Sequence, residues 1–270
     1  MSGKLFAIVV ILIALASAVP VVTHTFLGAT VAPPQDISTH GAEIDKQMDE
    51  TMIEAGLSFL AAQILLGIFV WGSAGAKGKL KNFPGGAKYL ILAAILLVGA
   101  EAIALGAIGS KAWAKVYFQP ASADALPIQV QAGQFAFYFR YAGPDGKFGA
   151  LHPDKIDEGN SNFFGLDPEN DIPARDDIQS GELVIPVNKE IHLMMHAKDV
   201  GHSFYVRELR IQQDFVPGLD LSVHFTATQI GKYEIVCTQL CGLGHYNMKG
   251  YLNVMSQDDF NAWLKSQSNT

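Results

Sequence analysis

The chain has 270 residues, 49% of them hydrophobic, and a formal net charge of −7 at pH 7. Its length allows one sizeable core together with membrane segments. Asp and Glu outnumber Lys and Arg by 26 to 19, which disfavours a nucleic-acid partner because phosphate binding needs basic patches. A cationic protein partner suits this charge balance better.

Three apolar runs occupy the first 110 residues, at 5–22, 53–71 and 89–109. Each has close to the roughly 20 residues that a helix needs to cross the hydrocarbon core of a bilayer. The first run also has the features of a signal peptide, because Lys4 precedes it and Ala16–Ala18 resembles a cleavage site. We predict a transmembrane anchor over 1–110, with three helices if the first run is retained.

The segments between the apolar runs predict the orientation of the chain. The connection between the second and third runs is basic and has no acidic residue, so it should face the cytoplasm. The connection between the first and second runs is acidic and should face outward. Whether or not the first run is retained, the residues after 110 are predicted to lie outside. The basic residues of the connection between the second and third runs are Lys77, Lys79, Lys81 and Lys88.

Glu101 lies within the third apolar run, where an ionisable side chain is costly. Two interpretations remain open for it. It could belong to a proton path, or it could form a protonated or hydrogen-bonded contact with a neighbouring helix.

After residue 116 the long apolar runs give way to strand-length segments rich in Val, Ile, Tyr and Phe, separated by Gly, Pro or Asp. This spacing predicts an all-β sandwich or barrel over 116–270. Ser256 and Asp259 then begin a predicted C-terminal helix, with Ser256 as its N-cap. A polar surface loop or insertion is predicted over 157–177. The domain holds 11 Lys and Arg against 19 Asp and Glu.

Both cysteines of the chain lie in the segment CTQLCGLGHYNM, residues 237–248. The cysteines alone leave a disulfide and a metal site about equally plausible, since an outer domain allows a disulfide. His245 and Met248 favour a metal. Zinc accepts thiolates and imidazoles but not a thioether, whereas the combined soft set favours copper. Two cysteines with one further upstream histidine would suit two copper ions bridged by thiolates.

The motif C-x3-C-x3-H-x2-M, preceded by DVGHSF at 199–204, resembles the CuA domain of subunit II of the haem–copper oxygen reductases. The resemblance covers the membrane anchor and essentially all of 116–270, and it implies a cupredoxin-like β-barrel. It also implies a binuclear CuA centre with two imidazole ligands, two bridging thiolates, a weak axial thioether and a backbone carbonyl. In that order the implied ligands are His202, His245, Cys237, Cys241, Met248 and Gln239.

The same resemblance implies an electron-accepting role within a cytochrome c oxidase. Electrons would come from cytochrome c or a similar small donor and pass to haem in catalytic subunit I, where oxygen is reduced to water. The complex, with its other subunits, would lie in a bacterial inner or cell membrane with the copper domain on the periplasmic or outer side. No C-x-x-C-H motif for haem attachment occurs, so the donor would be a separate protein.

Three alternatives stand beside this interpretation. The same module in a nitric oxide reductase would have a different terminal acceptor, which binds to another subunit. A quinol oxidase subunit II would be structural rather than redox-active, and is disfavoured because that branch lacks the copper ligands. A copper-delivery protein would need an exposed and exchangeable site.

The sequence departs from the family at two positions. Gln239 replaces a Glu whose side chain typically reaches a magnesium at the interface with the catalytic subunit, and neutral Gln is a poorer ligand for it. A magnesium site is therefore left in doubt. Phe135 stands where the family has the Trp of electron entry, or it is simply one of several strand aromatics. Asp199, three residues before His202, could orient that ligand or merely end a strand.

Other histidines and methionines of the domain are predicted to be structural. His192, Met194, Met195 and His196 share one predicted strand, and we assign them to the core and the surface because the copper ligand set is already complete. His224 is predicted to be a surface residue of another strand.

Overall fold

The computed structural model describes residues 3–27, 33–73 and 86–268. The chain forms two compact units. The first unit comprises Met1–Pro33 with Glu43–Ala112, and the second comprises Pro34–Ala42 with Trp113–Thr270. The basic connection that carries Lys77, Lys79 and Lys81 lies outside the described residues, so the predicted orientation is argued from sequence alone.

Three helices precede the β-domain: α1 (Gly3–Leu27), α2 (Gly41–Ser73) and α3 (Gly86–Tyr117). Within the described part of the chain, two stretches are long and apolar enough to cross a membrane, Gly41–Gly72 and Ile91–Tyr117. The apolar part described for α1 is shorter, Gly3–Val19. The helices predicted from the three apolar runs are therefore present, and two of them meet the length for a membrane span.

Helix α2 begins well before the apolar run that predicts it. The side-chain oxygen of Ser38 accepts a hydrogen bond of 2.8 Å from the backbone N–H of Gly41, as an N-cap does. Lys46 and Glu50 then form an i,i+4 ion pair of 3.7 Å along the first turns. Hydropathy cannot detect this start, because the first turns of the helix are polar.

The second unit is a β-sandwich with ten strands among the described residues, arranged in two five-stranded sheets. The strands of one sheet, in spatial order, are β3 (Ile178–Ser180), β2 (Ala136–Tyr141), β1 (Leu126–Gly133), β5 (Glu190–Ala197) and β8 (Leu221–Thr226). Those of the other sheet are β4 (Leu183–Pro186), β10 (Lys249–Met255), β9 (Gly231–Val236), β6 (His202–Val206) and β7 (Ile211–Phe215).

The core lies between the two sheets. Strand β5 contributes alternate residues to it, whereas β4 buries successive residues. Phe137 of β2 meets Phe204 of β6 and Phe215 of β7, with ring centroids 6.5 and 6.0 Å apart. Burying each such ring contributes about 1.5–3 kcal/mol. The predicted all-β domain is thereby confirmed, and the two sheets are joined by aromatic packing.

The predicted C-terminal helix is also confirmed, as α4 (Gln257–Ser268). The backbone N–H of Asp259 donates to the Ser256 oxygen at 3.1 Å, and that hydroxyl donates to the Asp259 carboxylate at 2.6 Å. This reciprocal pattern is a capping box. Trp263 packs against Tyr141 of β2 with ring centroids 5.0 Å apart, so α4 closes one side of the sandwich.

The segment between β2 and β3 is an insertion, as predicted, but it is not polar throughout. It contains three short 3-10 turns and a small core of its own formed by Phe164, Leu166 and Ala174. A fully buried ion pair between Arg140 and Asp177 holds the insertion to the sheet. The prediction missed this packing because the apolar stretch at 163–166 is short and is flanked on both sides by polar residues.

Candidate metal centre

The cysteine segment is the loop that connects β9 to β10. The two strands pair up to Val236 and Lys249, and the N–H of Cys237 donates to the carbonyl of Met248 at 3.1 Å. The ends of the loop are therefore held by the sheet itself. Cys237 and Cys241 are both buried and free of any disulfide.

The side chains of the loop converge on the two sulfurs. The Sγ atoms of Cys237 and Cys241 are 3.9 Å apart, whereas a disulfide requires about 2.05 Å. The Cys241 sulfur lies 3.7 Å from Nδ1 of His245 and 3.7 Å from Sδ of Met248. The carbonyl oxygen of Gln239 lies 3.1 Å from the Cys237 sulfur. Donors held about 2.2 Å from one tetrahedral ion would lie about 3.6 Å apart, so this spacing fits a metal centre.

The remaining donor comes from a distant part of the sequence. His202 is the first residue of β6, is fully buried, and has a ring nitrogen within 4.8 Å of both cysteine sulfurs. Strand β6 lies beside β9, where Tyr205 pairs with Val236. The structure therefore brings together all six residues that were predicted as ligands.

Asp199 determines which nitrogen of His202 is available. Nε2 of the imidazole lies 2.8 Å from Oδ1 of Asp199, while Nδ1 is buried and has no hydrogen-bond partner among the described residues. Burial favours a higher pKa for Asp199, but hydrogen bonds from His202, Gln134 and Val200 outweigh it and lower the pKa below its usual value. The carboxylate is thus ionised at neutral pH and favours a proton on Nε2, which leaves the Nδ1 lone pair for a ligand.

Gln134, whose role was not predicted, links the two halves of the cluster. Its backbone N–H donates to the Asp199 carboxylate at 2.8 Å, and its side-chain amide donates to the Cys241 carbonyl at 2.6 Å. One residue of the β1–β2 turn therefore holds both the carboxylate beside His202 and the cysteine loop. Only its position next to Phe135 in the sequence hinted at such a role.

Phe135 lies directly on the cysteine loop and is 41% exposed. A methyl group added at Gly244 would come within 2.5 Å of its ring, and Gly242 is at φ +135°, where other residues are strained. The two glycines therefore allow the aromatic ring to cover the loop closely. This contact agrees with a role beyond ordinary strand packing, but the predicted role in electron entry remains a prediction.

The thiol of Cys241 is protonated at neutral pH. Burial, together with the neighbouring Cys237, raises the pKa of Cys241 to about 11. A metal ion needs thiolate ligands and would therefore displace the proton of Cys241.

The donor set fits copper. Two sulfurs and the imidazole of His202 form one buried cluster, and the thioether of Met248 is 2% exposed beside them. Thiolate, imidazole and thioether together are soft ligands that suit copper, and a thioether is not a zinc ligand. The orphaned Nδ1 of His202 supplies the buried polar atom that such an ion would satisfy.

Comparison with known proteins agrees with this geometry. Residues 174–254 match the sequence model of the cytochrome c oxidase subunit II periplasmic domain. The chain is also 28% identical over 263 residues to the alternative cytochrome c oxidase subunit 2 of Bradyrhizobium diazoefficiens, covering 97% of this chain and 91% of that protein. The chain is similar to the cytochrome c oxidase subunit II family, and these matches support a divergent subunit II. The relatives are subunits of cytochrome c oxidases, which are oxidoreductase complexes.

Other relatives match a smaller region. The cytochrome c oxidase subunit 2 of Thermostichus vulcanus is 44% identical over 88 residues, which is 33% of this chain and 27% of that protein. A solved structure of the periplasmic domain of subunit II from Bradyrhizobium japonicum has 25% identity and a TM-score of 0.41, and covers 56% of this chain and 98% of that one.

Similarity to subunit II agrees with three features of the chain. Its copper-type donor set lies in the domain that matches the periplasmic domain, two of its described helices are long and apolar enough to span a membrane, and its relatives are subunits of oxidase complexes. Glu101 lies within α3 in the first unit, and its predicted part in a proton path is not tested.

Proposed function

We propose that the chain is the electron-accepting subunit of a cytochrome c oxidase and holds a binuclear copper centre. The convergence of four further donors on two free, buried thiols is the observation that supports it. When bound, the copper pair would supply a redox group that changes by one electron at a time. The proposed ligands are His202, Cys237, Gln239, Cys241, His245 and Met248.

The protein would hold these ligands so that little rearranges between the two redox states. Strands β9 and β10 clamp the ends of the loop, and Gln134 fastens its middle through the Cys241 carbonyl. Asp199 fixes the ring of His202 from behind. A site whose ligands are locked by packing and by outer hydrogen bonds exchanges electrons with small reorganisation.

The surface around the loop suits the entry of electrons from a protein donor. Leu240, Leu243 and Tyr246 are exposed at the tip of the loop, at 77%, 96% and 90%, and Phe135 lies beside them. An apolar patch of this kind marks a contact site on a soluble domain. The acidic domain around it would attract a basic donor such as cytochrome c. Electrons would leave toward the haem of catalytic subunit I, in a bacterial cell membrane.

Gln239 does not favour a magnesium at the subunit interface. The side chain that would reach the ion carries no charge, which makes it a poorer magnesium ligand than Glu. The backbone carbonyl of Gln239 is the atom that approaches the Cys237 sulfur. The proposal therefore includes copper and haem partners but leaves magnesium in doubt.

The test is copper content and oxygen uptake of the native complex, purified through this chain and supplied with reduced cytochrome c. We expect two copper ions per chain that survive dialysis against a chelator, and rapid uptake that cyanide inhibits. Cys237→Ser/Cys241→Ser should lose both copper and uptake while the haem spectrum of the complex is retained. Easily stripped copper would contradict electron transfer. Stable copper with nitric oxide reduction and no oxygen uptake would indicate a nitric oxide reductase instead.

A further inference from the structure

A second group of metal-ligating side chains lies on the outer face of the other sheet and shares no residue with the cysteine cluster. His192 of β5 pairs directly with His224 of β8, and Met194 is the next residue of β5 on the same face. All three are partly buried, whereas Leu193 and Met195 between and beyond them face the core. The strand therefore divides these residues between the surface and the core, as its sequence predicted.

His224 is prepared as a nitrogen ligand. Its Nδ1 lies 2.9 Å from the Glu190 carboxylate, and its Nε2 is buried with no hydrogen-bond partner in the part of the chain that the structure describes. This arrangement repeats that of Asp199 and His202 in the cysteine cluster. A carboxylate that holds one ring nitrogen directs the lone pair of the other nitrogen to a ligand and makes it more basic.

Glu190 is itself held in place. Ser122 donates to it from both its hydroxyl and its backbone N–H, the latter at 3.3 Å. These hydrogen bonds, with Ser122 as the largest cause and His224 as a smaller one, lower the pKa of Glu190, so the carboxylate is charged at neutral pH. Glu190 therefore acts as a positioning residue for His224.

Space for a ligand is present on both sides of the histidine pair. His192 and His224 line one cavity of about 330 Å³, together with Ser222. His192 and Met194 line a second cavity of about 380 Å³ on the same face. Cross-strand neighbours have Cβ atoms about 4.5–5.5 Å apart, so rotation of the His192 side chain can bring its imidazole to the same ion as that of His224, which Glu190 holds in place.

We propose that His192, His224 and Met194 form a second copper site, which binds one monovalent copper ion. Two neutral imidazoles and a thioether are a soft set without charge, which suits Cu(I) rather than zinc, calcium or magnesium. The site does not depend on the function proposed for the cysteine loop. It adds a metal-binding site on the opposite sheet of the same domain.

The test uses the full-length chain in detergent with Cys237→Ser/Cys241→Ser, which removes the thiolates of the loop. Anaerobic competition with bicinchoninate should then show one equivalent of bound Cu(I). Adding His192→Gln/His224→Gln should weaken that binding at least tenfold. If the double cysteine variant does not fold, His192→Gln/His224→Gln is introduced into the chain with intact cysteines. The copper content should then fall from three ions per chain to the two that the cysteine loop holds.

Met194→Leu distinguishes copper from zinc, because it keeps the volume of the side chain and removes only the sulfur. Cu(I) affinity should fall at least tenfold, while any Zn(II) affinity stays within twofold. Met255→Leu and His152→Gln are matched controls outside the site and should leave Cu(I) binding unchanged. No stoichiometric Cu(I) uptake, uptake that survives loss of both histidines, or an unchanged affinity in Met194→Leu would overturn the assignment.

Discussion

Nε2 of His202 lies 2.8 Å from the carboxylate of Asp199, three residues before it, and this contact leaves the buried Nδ1 without a hydrogen-bond partner among the described residues. The pair also ties the start of β6 to the β1–β2 turn, because Gln134 donates its backbone N–H to the same carboxylate. A short local contact therefore positions a ligand that the cysteine loop itself does not contain.

We expect Asp199→Asn to lower copper affinity about 10–100-fold, as loss of an outer-shell carboxylate typically does. The amide keeps the shape of the side chain and can still accept from Gln134, so the fold should be retained. Chelator competition on the purified chain measures the effect. Asp220→Asn is the control, because Asp220 also contacts a histidine, His196 at 3.3 Å, but is 95% exposed. Equal copper affinity in Asp199→Asn and wild type would contradict the role.

Gly244→Ala should distort the contact between the cysteine loop and Phe135. The added methyl would lie 2.5 Å from the ring, so the ring or the loop has to move, at a cost of about 1–3 kcal/mol. Thermal unfolding in detergent and copper retention both report the change. Gly181→Ala, where a methyl meets nothing within 4 Å, is the control. Adding Phe135→Ala should restore the thermal stability and the copper retention of the Gly244→Ala variant. Failure of that rescue would show that the clash lies elsewhere.

Arg140→Met should destabilise the outer domain by about 3–5 kcal/mol, because it leaves the carboxylate of Asp177 buried and unpaired. The guanidinium also donates to the Gly149 carbonyl at 2.6 Å and the Gln129 side chain at 3.0 Å. Urea unfolding gives the free-energy difference. The double variant Arg140→Met/Asp177→Leu should recover part of the loss, whereas Arg175→Met, at an exposed site, should stay within about 0.5 kcal/mol of wild type.

Protonation of Asp167 should account for part of the loss of stability of the insertion in acid. Hydrogen bonds from the Lys155 ammonium and the Asn170 amide lower the pKa of Asp167 to about 2, from a usual value of 3.8. Because the folded-state pKa is the lower one, this contribution to stability is present above about pH 4 and is lost as pH falls toward 2. Asp167→Asn should therefore flatten the decline in unfolding free energy over that range.

Urea unfolding at a series of pH values between 2 and 5 tests this prediction. Lys155→Met removes the partner and should flatten the same part of the curve. Asp154→Asn removes an exposed neighbouring carboxylate and is the control for the change in net charge. If the unfolding free energy of Asp167→Asn declines as steeply with falling pH as that of wild type, Asp167 does not contribute to the acid sensitivity.

The sequence by itself determined the elements whose signal is local. Short segments rich in Val, Ile, Tyr and Phe, separated by turn residues, predicted the strands. Three apolar runs predicted the helices before them, and Ser256 with Asp259 predicted the start of α4. Four copper-type donors within residues 237–248 also needed no fold to be recognised, because one loop brings them together. The ligand role of His202 came from a family resemblance and not from spacing, since it lies far from the loop in the chain.

Only the tertiary structure decided how separate strands meet. The register of β6 beside β9 places His202 at the cysteines, and the β1–β2 turn places Gln134 against both Asp199 and Cys241. The pairing of β5 with β8 places His192 opposite His224, which made residues predicted to be structural into candidate ligands. Sequence patterns show which face of a strand is buried, but a cross-strand neighbour depends on register, which long-range packing determines.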